Sequence, residues 1–558
     1  KGAEVRVGLQ TSDDFRFVRA FWEIDPTKIA QTREETFHGK RWAPFAKGGE
    51  YSPYYSDIHL VVEWKSNGRQ IEEFSQAVVR NSQYYFKPGI TWPERTTSGF
   101  GPQILPKGCV FSVTGPGCIP INNISTTVLL AVLNDRVIRN IIDGLVPAGE
   151  ETVSGTAARH YGVGLVQRLP WLGAELKEHE AYNIGILSSR LIEQRASFDE
   201  DDETTRRFVC PKLLRFSGDS LKAKIYKALE HRETEILHVI RMAAEIEHIL
   251  HKAIGLDDEA KKYLNEEYGP HPDSYPEKLS ISDNEFARYY QMPIENLIDE
   301  IMKTRGGARI ITTKSYIIDR RLEVLAHVFN TNPRSLIDLR RRLRILPPEE
   351  LQSSVRDLVS YLFGCALGRW DIRICRDPSF VPTLPDPVDK ITPCSPGMLV
   401  DSDGFPAKNI PVGYPLKFST NGILVDDEGH PDDIVKRVRE AMEYLWEDKA
   451  GDIEHEICEI LEVNSIRDYF RKPNLFFDDH LKRYSKSRRQ APIYWPISSS
   501  SGSYTLWLYY PRLTDQTLYI CVNDFIEPKL EQLAEQAGRL RQKKDRSRAE
   551  ERELERLV

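Results

Sequence analysis

The sequence predicts an α+β multidomain protein, and three observations carry that prediction. The first 215 residues mix short alternating strands with helical stretches. Residues 216–375 place apolar side chains at helical spacing almost throughout. A Pro/Gly/Asp-rich stretch then interrupts the chain before a second α+β region. At 558 residues, 40% hydrophobic and 28% charged, the chain is long enough for several cores. The net charge of −7 means that any nucleic-acid contact must come from local basic surfaces. Its eight cysteines include no CxxC pair, which argues against zinc ribbons and redox motifs and fits reduced cytosolic thiols. An apolar run of membrane-spanning length and a signal peptide are both missing, so the expected setting is cytoplasmic, without a membrane partner.

Residues 1–215 are predicted to form a mixed α/β domain. EVRVGL (4–9) alternates as a strand should, and IHLVVEW (58–64) is a second strand. Lys47-Gly48-Gly49 and Asn67-Gly68 supply turns between such elements. Residues 125–144 have the spacing of a helix packed on a sheet, and VLLAVL within them reads as buried. Residues 216–375 are predicted helical. The longest helix is expected over 217–253, with apolar Leu221, Ile225, Leu229, Ile236, Ile240, Ala244 and Ile249, and Gly255 ending it. Further helices are expected at 257–268, 294–303 and 348–365, the last starting at Pro347-Pro348 with Glu349 and Glu350 favouring its N-terminus. Residues 376–430 carry too many prolines for long helices or central strands and form an irregular linker or loop. In the C-terminal α+β domain, 431–527, helices are expected at 432–445 and 453–461, with a hairpin joining 493–498 to 504–513. The charged tail, 528–558, reads as a solvent-exposed or coiled-coil helix.

The segment RDYFRKPNLFFDDHLKRYSKSRRQAPIYW (467–495) is the richest for DNA. Arg467, Arg471, Lys472, Lys482, Arg483, Lys486, Arg488 and Arg489 interleave with Tyr469, Phe470, Tyr484 and Trp495. Cations of this kind neutralise phosphates and release counterions, and arginine forks read guanine edges. The competing reading is a solvated basic helix whose aromatics belong to the core. The turn Lys47-Gly48-Gly49-Glu50, followed by Tyr51, Tyr54 and Tyr55, lets backbone approach an oxyanion closely, with Lys47 adding charge. A plain hairpin explains the same residues. In FKPGITW (86–92), Lys87 and Thr91 are candidates for DNA contact, whereas Ile90 and Trp92 read as core. Arg95 and Lys107 complete the DNA-binding candidates of this domain. Arg320-Arg321 and Arg340-Arg341-Arg342-Leu343-Arg344 fall on helical sequence and are expected on a solvated face with some acid partners. His248 and His251 beside Glu245 and Glu247 are discounted as metal ligands, because ligation needs converging donors and a supporting shell. The run Glu200-Asp201-Asp202-Glu203 is expected to be a solvated loop. No Ser-His-Asp order or supported Cys-His pair is present, so no catalytic residue is assigned.

Taken in order, VGLQTSDDFRFVRAFWEI (7–24), RWAPFAKGGEYSPYYSDIHLVVEW (41–64), RNSQYYFKPGITW (80–92), LPKGCVF (105–111) and HYGVGLVQRLPW (160–171) resemble the target-recognition half of large N6-adenine DNA methyltransferases. The resemblance is to the PglX-like enzymes of BREX phage-defence systems and their DISARM and Type IIG relatives. FGCALGRWD (363–371) and the basic YSKSRR run with its following PIYW are similar to strings of the same family, and Asn134 matches its helix asparagine. Ser12-Asp13-Asp14 stands where the family often has Gly-Asp/Glu-Asn, and Pro93 follows Trp92, departures that bear on loop contacts.

The resemblance implies sequence-specific recognition of double-stranded DNA within an S-adenosylmethionine-dependent N6-adenine methyltransferase of a phage-defence system. It implies partnership with an N-terminal methyltransferase domain or subunit and with other defence proteins. The chain lacks the Asn/Asp-Pro-Pro-Tyr/Phe tetrapeptide: its only Pro-Pro pair, Pro347-Pro348, is followed by Glu349. Gly115-Pro116-Gly117 makes a poor cofactor loop. No cofactor or metal is therefore expected in this chain, and it is expected to be inactive alone. Its start at Lys1 suggests a fragment of a longer protein. The alternatives are a helical adaptor subunit of a defence complex and the recognition half of a Type IIG restriction enzyme.

Overall fold

The computed structural model describes residues 2–49, 51–146, 150–151, 157–303, 319–389, 391–487 and 489–557. The chain divides into two compact units. One comprises Lys1–Tyr361, Asp371–Pro406 and Glu459–Glu462, the other Leu362–Trp370, Ala407–Cys458 and Val463–Val558. The fold is α+β with several small sheets, as the sequence predicts.

The first unit is built on two four-stranded sheets. In one, Ala3–Arg6, Gly117–Pro120, Gly89–Thr91 and Gln103–Leu105 pair antiparallel in that order. In the other, the order is Val18–Ala20, Leu60–Glu63, Trp42–Ala46 and Val110–Phe111, with only the last pair parallel. The strands expected at 4–9 and 58–64 are thus present but shorter. Leu9 makes an isolated bridge to Ser112 instead of continuing the first strand. Glycine is required at Gly8, where an added Cβ would lie 2.0 Å from the Phe111 carbonyl oxygen.

The single helix expected over 125–144 is two helices, Thr126–Leu133 and Arg136–Leu145. The break has a polar cause. Asn134 Nδ2 donates to the Leu130 and Pro102 carbonyls, each at 3.0 Å. Asp135 leaves helical geometry and caps the next helix, accepting from the Val137 amide at 2.8 Å. The long helix runs Leu221–Ala253, with Ser220 as its N-cap and Gly255 (φ +65°) just beyond its end. Its Ile236 and Ile240 join a core with helices Asp283–Gln291, Ile294–Met302, Arg320–Phe329 and Pro333–Leu343.

Two expectations about charge are overturned here. The acidic run is not a solvated loop. Glu200 and Glu203 are buried, Glu203 accepting from Ser360 at 2.5 Å and Glu200 from Arg215 at 3.0 Å. Nor do all the arginines lie on a solvated face. Arg340 is 0% exposed and ion-paired to buried Glu233, and buried Arg321 donates to the Tyr290 and Met292 carbonyls. Helical spacing locates a face, but an arginine stem is long enough to turn its charge inward where an acid or free carbonyls wait.

In the second unit, Ile423–Val425, Thr505–Tyr509 and Tyr494–Ser498 form an antiparallel sheet, the last two strands being the expected hairpin. Helices Ile434–Trp446, Ile466–Arg471 and Phe476–Arg483 belong to the same unit. The tail is two helices, Glu527–Gln542 and Arg548–Leu557, instead of one. Lys543 Nζ to Glu550 at 2.6 Å and a Gln536–Glu553 hydrogen bond fold the second back on the first. Among the described residues, no helix is long and apolar enough to cross a membrane.

Candidate nucleic-acid interface

The basic stretch of the second unit contains cations paired with buried carboxylates and cations at least partly open to solvent. Arg467 donates to Asp426 (2.6 Å) and to both oxygens of Asp433 (2.9 Å each), and Arg471 donates to Asp426 at 2.6 and 3.1 Å. These two arginines anchor the helix Ile466–Arg471 on buried carboxylates. Lys482 is exposed and makes an i,i+4 pair with Asp478. Arg483 is half-buried at the end of the helix Phe476–Arg483.

Beyond that helix, Ser485–Lys486 and Arg489–Gln490 pair antiparallel, with Lys486 directly opposite Arg489. The turn between them begins at exposed Ser487 with φ +53°. Lys486 and Arg489 are half-buried, while Ser485 and Gln490 are exposed. Arg488 lies outside the described residues. The result is a short β-ribbon with cations on facing strands, a form that fits against a phosphate backbone or into a major groove.

The ribbon adjoins a buried pedestal built partly from residues far away in sequence. In FGCALGRWD, Gly364 makes room for an indole: a Cβ there would meet Trp370 Cδ1 at 2.4 Å. Gly368, at φ +68°, closes the helix Pro348–Ala366, and the Arg369 amide then donates back to the Gly364 carbonyl at 2.9 Å. That turn directs Arg369 inward. It is buried, lies 3.9 Å over the Trp370 ring, and donates to the hydroxyls of Tyr484 and Tyr494, the latter at 3.4 Å. Tyr484 immediately precedes the ribbon. His480 stacks on Tyr494 with ring centroids 4.7 Å apart, and its Nε2 accepts from the Ile493 and Tyr494 amides, each at 3.1 Å. Burial, with Arg369 and Arg483 nearby, pushes the His480 imidazole well below its ordinary range, so the ring stays neutral and Nε2 remains an acceptor. Phe363, Phe476, Tyr494 and Trp507 pack edge-to-face around this centre. The aromatics Tyr469, Phe470 and Tyr484 of the basic segment are therefore core, whereas Trp495 is 45% exposed.

In the first unit the candidates separate in the same way. Lys87 and Lys107 are both exposed and are brought together by two backbone bonds, Phe86 amide to Cys109 carbonyl (2.8 Å) and Gly108 amide to Phe86 carbonyl (3.2 Å). Arg95 is exposed on the edge strand Arg95–Thr96, opposite His160. Lys47 is partly buried and pairs with Asp14. The glycine turn after it serves packing, since a Cβ on Gly48 would lie 2.6 Å from the Thr114 carbonyl oxygen. Tyr54, Tyr55 and Thr91 are buried, and burial pushes both tyrosine hydroxyls upward in pKa. In this arrangement those three shape the core beneath the surface instead of meeting a ligand directly.

One group among the described residues has metal-ligand spacing. Asp135, Glu247 and His251 offer donor atoms within 4.8 Å of one another. The histidine and glutamate discounted from sequence thus do converge, on a carboxylate 116 residues from His251. Arg136 already grips Glu247, however, with Nε to Oε2 at 2.9 Å, and His251 Nε2 lies 3.2 Å from Asp135 Oδ2. The guanidinium supplies the positive charge that a cation would otherwise bring. The cluster is a buried ion network tying the helix Arg136–Leu145 to the long helix. Sequence reasoning missed Asp135 here, and missed Arg369 and His480 in the pedestal, because their partners are remote along the chain.

No family model matches the chain. It is 22% identical over 538 residues to the adenine-specific methyltransferase BrxX of Escherichia coli O9:H4 (strain HS), covering 90% of this chain and 35% of that protein. It is 26% identical over 151 residues to the adenine-specific methyltransferase PglX of Lacticaseibacillus casei (strain Zhang), covering 25% of this chain and 13% of that protein. The chain is thus related to PglX-like methyltransferases and spans about a third of the length of BrxX.

Proposed function

We propose that this chain recognises double-stranded DNA for an S-adenosylmethionine-dependent N6-adenine methyltransferase of a phage-defence system. The observation that carries the reading is the β-ribbon bearing Lys486 and Arg489, fixed from below by Arg369 and His480 and flanked by exposed Lys482. A preorganised cationic ribbon limits the conformational cost of binding, and its lysines and arginines neutralise backbone phosphates. Lys87, Lys107 and Arg95 of the first unit give further phosphate contacts. The relatives' names supply the reaction class, and the methyl-donor pocket and flipped-adenine pocket belong to a methyltransferase domain or subunit acting with this chain. The relatives' names favour a BREX-type setting for this reading, in which other defence proteins would be partners.

The test is fluorescence anisotropy of the chain with labelled 30-bp duplexes across a salt series. Each phosphate contact contributes about −0.9 to the slope of log K against log salt. Replacing Lys482, Lys486 and Arg489 with alanine together is expected to flatten the slope by about 2 to 3. A chain that does not bind duplex DNA, or binds it without salt dependence, refutes the proposal. It would favour the adaptor alternative, for which the exposed apolar side chains Leu518, Tyr519 and Val522 offer a protein-docking surface.

A further inference from the structure

The first unit presents an aromatic ring that its own core does not use. Phe15 is 84% exposed, whereas Phe17, two residues on, is buried against Phe74 with ring centroids 5.4 Å apart. Both sit on the one-turn helix Asp14–Phe17, where residues two apart face different ways. The turn carrying Phe15 is locked. Thr11 Oγ1 donates to Asp14 Oδ1 at 2.5 Å, the Arg16 amide donates to Asp13 Oδ1 at 2.9 Å, and Ser12 Oγ donates to the Gln76 carbonyl at 2.7 Å. Ser12 holds φ +57°, a left-handed conformation unusual for serine. The two acids of the turn are occupied, Asp13 as the cap and Asp14 by Lys47 and Thr11.

Arginines lie on the same stretch of surface. Arg16 is exposed and lies over Phe17 at 4.9 Å. Arg19 Nη1 donates to the Phe15 carbonyl at 2.6 Å, and its guanidinium lies 5.8 Å over Trp42. Arg41 lies over the same indole at 5.5 Å and pairs with buried Glu63 at 3.4 Å. A purely apolar protein partner would be a poor match for a ring followed by exposed Arg16 and with Arg19 hydrogen-bonded to its carbonyl. A ligand with a flat π face flanked by phosphates matches both features.

We infer that Phe15 stacks on a nucleobase laid open at an unstacked step of the bound duplex while Arg16 and Arg19 meet the neighbouring phosphates. The inference rests on the DNA-recognition reading above. It assigns the segment TSDDFRF a contact role that none of the basic candidates fills, because phosphate contacts position a duplex but leave its stacking untouched.

The test compares the wild-type 558-residue chain with Phe15→Ala and Phe15→Trp, using labelled 30-bp duplexes at fixed low salt and across a salt series. Phe15→Ala is expected to weaken binding about tenfold with an unchanged salt slope, and Phe15→Trp to retain wild-type affinity, as base stacking requires. The thermal midpoint of Phe15→Ala should match wild type, because the ring makes no core contact. Replacing Arg16 and Arg19 with alanine is expected to lower the slope by about 2. Wild-type binding with unchanged Phe15→Ala affinity overturns this inference alone. Absent wild-type binding overturns the DNA-recognition reading and this inference with it.

Discussion

His480 offers the sharpest test of how the basic ribbon is held. Its Nε2 is the acceptor for two buried amides, those of Ile493 and Tyr494, and its ring stacks on Tyr494 at 4.7 Å and packs tilted against Tyr484 at 4.4 Å. His480→Phe keeps a ring of similar size in the stack and removes the acceptor. Each orphaned buried donor costs about 1–3 kcal/mol, so the pair should cost about 3 kcal/mol or more in local stability. At 1.4 kcal/mol per decade, that is roughly a hundredfold faster exchange of the two amides. The assay is native-state hydrogen exchange of peptides spanning 491–498, read against peptides of the first unit as an internal control. His480→Gln, which retains an acceptor, should recover part of the protection. The pH dependence has a fixed sign. Burial holds the folded imidazole well below 6.5, while the opened state takes up a proton at its ordinary pKa. Protection is therefore full above about pH 6.5 and falls as the pH drops below it, after correction for intrinsic exchange. His480→Phe should lose that dependence. If it exchanges like wild type at residues 493 and 494, the Nε2 acceptor does not hold the strand and the pedestal argument fails.

Two further outcomes follow from buried charge in the first unit. Among the described residues, Arg340→Met leaves Glu233, 1% exposed, with Arg341 at 3.1 Å as its ion-pair partner, and should cost about 3–5 kcal/mol in urea titrations. Replacing Glu233 and Arg340 together with leucine and methionine should recover most of that loss, and a double variant as unstable as the single one would refute the ion-pair reading. His271 is pushed down to about 4 from 6.5, chiefly by burial, so folding loses up to about 3 kcal/mol as the pH falls from 6.5 towards 4. His271→Gln should flatten the thermal-midpoint profile over that window, and an unchanged profile would show that another group titrates there.

The parts of the fold legible in sequence were those set by short-range pattern. Apolar spacing announced the helix Leu221–Ala253, and alternation around a serine-rich turn announced the hairpin of Tyr494–Ser498 with Thr505–Tyr509. Charge and hydroxyl content are weaker guides, because such groups suggest exposure in a sequence and can still be buried in the fold. Tyr54, Tyr55 and Thr91 are buried although polar atoms made them candidates for DNA contact, and Glu203 is buried because Ser360, 157 residues away, donates to it. Polar side chains turn inward wherever the fold supplies a partner, and partners separated by more than a hundred residues leave no periodic signal.

The same physics explains why two separated strings of this sequence carry one structural task. Gly364 and Gly368 bear no side chain that could touch a ligand, and Arg369 is 4% exposed. Gly364 admits the Trp370 indole, Gly368 adopts the left-handed turn, and that turn aims Arg369 at Tyr484 and Tyr494, which bracket the ribbon of Lys486 and Arg489. A cationic ribbon on a loose base would spend binding energy on its own ordering, whereas one set on a buried guanidinium and a neutral imidazole would meet a DNA ligand already formed. On this view the string at 363–371 belongs to recognition without contacting DNA. Variation in base preference should then fall on exposed positions such as Ser487 and Gln490, and substitutions at Arg369 should weaken binding to all duplexes alike.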